Sequence, residues 1–308
     1  MHQFHLPEGN PHAQKFDGMI TLIHDDLDLL MERYEMYLDG DPLYAPLRDT
    51  EFLVGVVGDA DDDENDDDEN DDDGGGYMIL ITDPWGTEFC ILPSDDPTED
   101  RASHVGTQPS LDGSIPSHVL AMEDLTVYVE HDANLDGIGR FYEYVLGAKK
   151  IDELSSDVSV CMGMGERQTL TFARHPDGPN AEVSHHDFGD VMDEIDDDDD
   201  DDRPLVAGYP PNRGPHVSVY VTDLAGAYGK AEELGVLYVN ARFKRRAYTR
   251  EQAIDQCMFR MIDVVDPLDG GGGGVIVRLE HEVRSATKRD GTRYKSCPLF
   301  AAADATVV

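Results

Sequence analysis

The sequence predicts an α+β chain built from a repeated βαβββ module. Three segments share one pattern: an alternating strand, a short Asp-containing turn and an amphipathic helix. Each then continues with further β-type segments, not with a helix after every strand as a crossover series would. The first strands of the second and third copies also match almost residue for residue, LTVYV at 125–129 against VSVYV at 217–221.

Taken in order, the chain opens on Gln3–Gly9, which is similar to the end of the second copy, Gln168–Phe172 with His175–Gly178 shortly after. The expectation is that it begins on the last strand of a module whose first half is missing, so that the sequence is truncated at its N-terminus. In the first full copy, Met19–His24 reads as a strand, Asp26 and Leu27 as the turn, and a helix follows through Tyr34. Glu51–Val57 and Tyr77–Thr82 then form a hairpin that throws out residues 59–76, an acidic loop without an apolar anchor. Asp83-Pro84-Trp85-Gly86 turns the chain into a final strand, Glu88–Leu92.

The second copy has its strand at Asp124–Val129, a helix over Ile138–Leu146 closed by Gly147, and a final strand at Arg167–Phe172. In the third, His216–Val221 is the strand, Asp223 the turn, and a helix through Leu234 is closed by Gly235. Leu237–Asn240 is a strand, and Thr249 with Gln252 reads as the capping box of a helix to Gln256. Asp266-Pro267 then leads into Val275–Glu280, with Gly270–Gly274 as a loop insertion. The expected boundaries are 1–7 for the truncated module's last strand, 17–93 for the first full module, 94–116 for a linker, 117–178 for the second module, 179–211 for an acidic linker, 212–284 for the third module and 285–308 for a tail.

Composition narrows the function. The 308 residues hold 24 Lys and Arg against 65 Asp and Glu, a formal charge of −41 that weighs against nucleic-acid binding. Twelve acids at 59–73 and seven at 196–202 account for much of the excess, and both runs read as solvated insertions, with a weak calcium or basic-partner tether as the alternative. No apolar stretch approaches membrane-spanning length and no signal peptide is visible. Cys90, Cys161, Cys257 and Cys297 are far apart without CxxC spacing, which suits reduced thiols in a cytoplasmic setting.

The order and repetition of ITDPWG at 81–86, HVSVYV at 216–221, FRMIDVVDP at 259–267 and RLEHE at 278–282 resemble the vicinal oxygen chelate superfamily. That group includes glyoxalase I, extradiol dioxygenases and bleomycin-resistance proteins. The resemblance implies modules that pair into cup-shaped mixed sheets with helices outside, and a divalent metal held from first and final strands. The first-strand ligand position falls on Met19, Asp124 and His216. The final-strand position falls on Cys90, on Gln168 or Thr171, and on Arg278 or Glu280. Asp124, His216 and Glu280 form a ligand set suited to iron(II), manganese or zinc. The expected cavity lies between the second and third modules with His216 at its floor. Arg278 and Tyr220, which share strand faces with Glu280 and His216, are candidates for substrate contact.

Each of these residues also has a structural reading. His216 is a polar residue at a strand start, Asp124 a turn residue, and Glu280 a partner for Arg278. His185 and His186 read as part of a solvated loop beside the second acidic run. The basic cluster Arg242–Arg246 either binds a carboxylate or phosphate of a substrate or pairs with the acidic excess. Two functions stay open. One is a metal-dependent lyase, isomerase or ring-cleaving dioxygenase acting on a small oxygenated molecule. The other is a metal-free protein that binds or sequesters a small molecule.

Overall fold

The computed structural model describes residues 2–5, 16–47, 49–58, 77–95, 118–165, 167–186, 209, 211–269, 274–288, 290 and 292. The acidic runs, Gly270–Gly273 and Cys297 lie outside them. The chain divides into two compact units. The smaller is Gly18–Leu125; the larger takes the described residues up to Asp17 and from Thr126 onward.

Each module follows the expected order. The first has β2 (Gly18–His24), α1 (Leu27–Leu38), β3 (Leu53–Val57), β4 (Met78–Thr82) and β5 (Glu88–Pro93). The second has β6 (Val119–Val129), α2 (Leu135–Leu146), β7 (Lys149–Lys150), β8 (Ser159–Gly163) and β9 (Thr169–Arg174). The third has β10 (His216–Val221), α3 (Leu224–Glu233), β11 (Leu237–Tyr238), a short α4 (Arg250–Gln256), β12 (Met258–Val265) and β13 (Val275–Ser285).

Local chemistry sets these boundaries. Asp26, Asn134 and Asp223 cap α1, α2 and α3 by accepting from the backbone N–H three residues on. Gly147 ends α2 at a φ of 70°, a left-handed conformation that glycine adopts without a Cβ clash. Thr249 accepts from Gln252 N, while the Gln252 side chain reaches back to Tyr248 N. Asp83 Oδ1 collects Trp85 N and Thr87 N, closing the turn before β5.

The smaller unit's strands run β3-β4-β5-β2-β6, and β2 and β5 are parallel. The larger unit has strands in the order β6-β9-β8-β7 and a second sheet, β1-β10-β13-β12-β11, where β1 is His2–His5 and β10 is parallel to β13. Final strands β5 and β13 pair parallel with their own first strands, and β1 pairs antiparallel with β10.

The second and third modules meet through α2. Tyr142, fully buried, packs on Phe172 of β9 and on His281 of β13, with the Tyr142 hydroxyl hydrogen-bonded to His281 Nε2 at 2.5 Å. Burial raises the Tyr142 hydroxyl well above its ordinary pKa and lowers His281 to about 4, so the pair is neutral. Beside it, Asp266 accepts two bonds from Arg140 and one from Asn134, both carried by the α2 segment. This contact is packed core. It also uses the face of β13 opposite His216, since successive strand residues alternate.

Candidate functional site

Register brings two of the expected ligands together. Parallel pairing sets His216 opposite Glu280, Ser218 opposite Glu282 and Tyr220 opposite Arg284, and β12 sets Arg260 opposite Glu282. All seven therefore line one face of the five-stranded sheet, away from α2. That face is buried: Glu280 is 0% and Arg260 5% exposed. So much buried charge persists only if it is compensated.

Arg260 supplies the compensation. One guanidinium nitrogen, Nη1, donates to Glu280 Oε1 and the other, Nη2, to Glu282 Oε2. The same guanidinium stacks 3.9 Å over the Phe243 ring, and His216 meets that ring edge-on at 5.5 Å. Glu280 Oε2 accepts from Asn212 and Asn240 at 2.9 and 3.0 Å. Glu282 also takes Arg284 Nε, and His216 Nε2 lies 3.8 Å from it. Burial opposes a charge on Glu282, yet Arg260, Arg284 and His216 together hold its carboxyl below the ordinary range. Two carboxylates thus face two guanidiniums.

A divalent ion does not fit this arrangement as it stands. His216, Glu280 and Glu282 offer one imidazole and two carboxylates, a donor set suited to borderline divalent ions. Arg260 already bridges both carboxylates, and an ion would have to displace it from Glu280, Glu282 and Phe243 at once. Among the described residues, no group of three or more His, Cys, Asp or Glu side chains could hold a metal ion.

The other expected residues fall elsewhere. Asp124 lies half-buried on β6 in the smaller unit. Arg278 pairs with Asp263 at 3.3 Å and with the Tyr209 hydroxyl at 3.1 Å, so it is not the partner of Glu280. Tyr220, 5% exposed, accepts from Arg284 at 3.2 Å. His185 is not in a solvated loop: it is 1% exposed, its Nε2 lies 2.6 Å from the Tyr128 carbonyl, and burial lowers its pKa to about 4. Cys90 is buried with its Sγ 3.8 Å from Met78 Sδ, and burial, then Glu123, raises its thiol pKa. Within the basic cluster, Phe243 covers the buried network, while Arg246 is held by the carbonyls of Phe243 and Ala241. Arg260, Glu282 and the two asparagines were missed. A signal for Glu282 existed in RLEHEVR, whose alternation puts Glu280, Glu282 and Arg284 on one face.

A different feature has room for a ligand. In the smaller unit, a cavity of about 520 Å³ lies between α1, the short 3-10 helix Pro42–Leu47 and the sheet. Ile79 sits opposite Ile91 and Val54 opposite Ile81, so these four form the sheet wall. That is the face opposite Met19 and Cys90, the positions at which the family resemblance would put ligands. Leu27 is the one fully buried residue of α1; Leu30, Met31, Tyr34 and Tyr37 stand over the space half-buried.

The basic side chains of the lining are His24, Arg33 and His118. His118 Nδ1 is 2.8 Å from Asp25 Oδ1, which orients the ring, and the two histidine rings stack 5.8 Å apart. His24 Nδ1 accepts from Asp26 N at 3.0 Å. Burial, then His118 and Arg33, lower the His24 pKa. Arg33 brings a permanent positive charge to this wall, and among the described residues it has no hydrogen-bond or ion-pair partner.

No protein-family model matches the chain, and no curated protein matches it in sequence. Solved structures match the chain at low identity. Glyoxalase I from Zea mays matches with 12% identity and a TM-score of 0.43, over 87% of this chain and 68% of that one. Lactoylglutathione lyase from Agrobacterium tumefaciens matches with 16% identity and a TM-score of 0.27, over 54% of this chain and 92% of that one. Identity this low leaves the site to be read from its own side chains. No helix among the described residues is long and apolar enough to cross a membrane.

Proposed function

We propose that this protein binds a small molecule without a metal ion, in the cavity of the smaller unit. The cavity itself carries the reading. Its volume of about 520 Å³ lies within the range of small-molecule sites, roughly 300–1,000 Å³, and its wall is mainly apolar with a few polar groups. A lyase, isomerase or dioxygenase acting through a metal at His216 and Glu280 would need Arg260 to leave its two carboxylates, which weighs against that alternative.

Calorimetric titration of the full chain with 2-naphthamide, an apolar probe of suitable size, tests the proposal in buffer containing EDTA. The expected result is saturable binding of one molecule per chain, unchanged when the chelator is replaced by zinc or manganese. Leu30→Trp, which fills the space beneath α1, should abolish that binding while the cooperative unfolding transition persists. No saturable binding to the wild-type chain, or binding only with added metal, overturns the reading.

A further inference from the structure

We infer that the ligand of this cavity is an anion, a small carboxylate with an apolar, ring-sized body. The inference rests on the cavity being the binding site and adds what enters it. Arg33 is half-buried on the cavity wall, and among the described residues it makes no hydrogen bond or ion pair. In a chain of net charge −41, acidic partners are abundant, and other guanidiniums with strong ion pairs have found them: Arg140 with Asp266, Arg260 with Glu280 and Glu282, Arg284 with Glu282. A guanidinium beside an apolar cavity, away from such partners, is suited to a planar bidentate acceptor.

The rest of the wall suits the body of such a ligand. Tyr34 and Tyr37 stack 6.1 Å apart, and Tyr37 meets Phe52 edge-on at 5.7 Å, giving an aromatic side to the space. Ile79, Ile81 and Ile91 form the opposite side from the sheet. A flat ring between these surfaces gains burial and edge or face contacts with the aromatic residues. Asp25 is already engaged by His118, so the carboxylate on this side of the unit does not compete for Arg33.

The experiment compares 2-naphthoate with 2-naphthamide, which share the ring system and differ in charge. Each is titrated into the wild-type chain, Arg33→Leu and Arg33→Lys. A charge-assisted contact predicts that wild type prefers the carboxylate by about tenfold or more. Arg33→Leu should lose that preference while keeping its affinity for the amide, and Arg33→Lys should retain part of it. Equal affinity for both probes in wild type, or an undiminished preference in Arg33→Leu, overturns the carboxylate assignment while the cavity remains a binding site. Failure of both probes to bind overturns the cavity reading itself.

Discussion

Replacing Arg260 by methionine removes the cation that holds two buried carboxylates and keeps an apolar side chain against Phe243. Breaking a buried ion pair by removing one partner costs about 3–5 kcal/mol. The remaining partners moderate that figure. Glu280 keeps Asn212 and Asn240, and Glu282 keeps Arg284, so neither acid is left without a donor. Loss of the guanidinium–Phe243 contact adds roughly 1 kcal/mol. A total near 4 kcal/mol is expected, a large share of the roughly 5–15 kcal/mol of an ordinary domain. Urea unfolding followed by circular dichroism is the assay, because the single tryptophan, Trp85, belongs to the smaller unit. The smaller Arg260→Ser leaves space at the same place, and there His216, Glu280 and Glu282 should accept zinc. At a hundredfold excess over its dissociation constant, zinc would restore about 2.7 kcal/mol to that variant. If Arg260→Met costs less than about 1 kcal/mol, or zinc stabilises wild type as much as Arg260→Ser, then Arg260 does not do the work of a cation here.

Two further outcomes are expected. His281 and His185 both have folded pKa values of about 4 because burial disfavours the charged ring, against an ordinary 6.5. The unfolded chain therefore binds more protons between those limits, so their contribution is full above about pH 6.5 and is lost as pH falls toward 4. The gap corresponds to at most about 3 kcal/mol for each ring. Urea midpoints measured at pH 7 and pH 5 should fall accordingly, and His281→Gln should flatten part of the slope; an unchanged slope would show that His281 does not titrate in this way. Gly147→Ala forces a Cβ into the left-handed end of α2, where nothing else lies within 4 Å, so strain alone should cost about 1 kcal/mol by the same assay.

The fold was legible because its signals are local. Asp26, Asn134 and Asp223 before helices, Gly147 and Gly235 after them, and the DPWG turn each act within a few residues, so neighbouring sequence suffices to read them. The N-terminal strand lies beyond such local reading, because the pairing partner and direction of β1 are set by contact with β10, about two hundred residues away.

The site was half legible, for a related reason. Strand alternation and the matching first and final strands were enough to bring His216 and Glu280 to one face, and register does place them opposite each other. What a pair of such residues holds depends on the third strand. β12 delivers Arg260 between Glu280 and Glu282, and the 240–246 segment lays Phe243 over it. In sequence, Arg260 stands in a mainly apolar strand between Phe259 and Met261, with nothing nearby to mark its partners. Its role follows from electrostatics. Two adjacent buried carboxylates require a cation, and a metal and a guanidinium both answer that requirement. A ligand-like pattern on two strands therefore specifies a need for positive charge, and the strand beside them decides which cation meets it. Exchanging Arg260 for a small residue should hand that choice back to a metal.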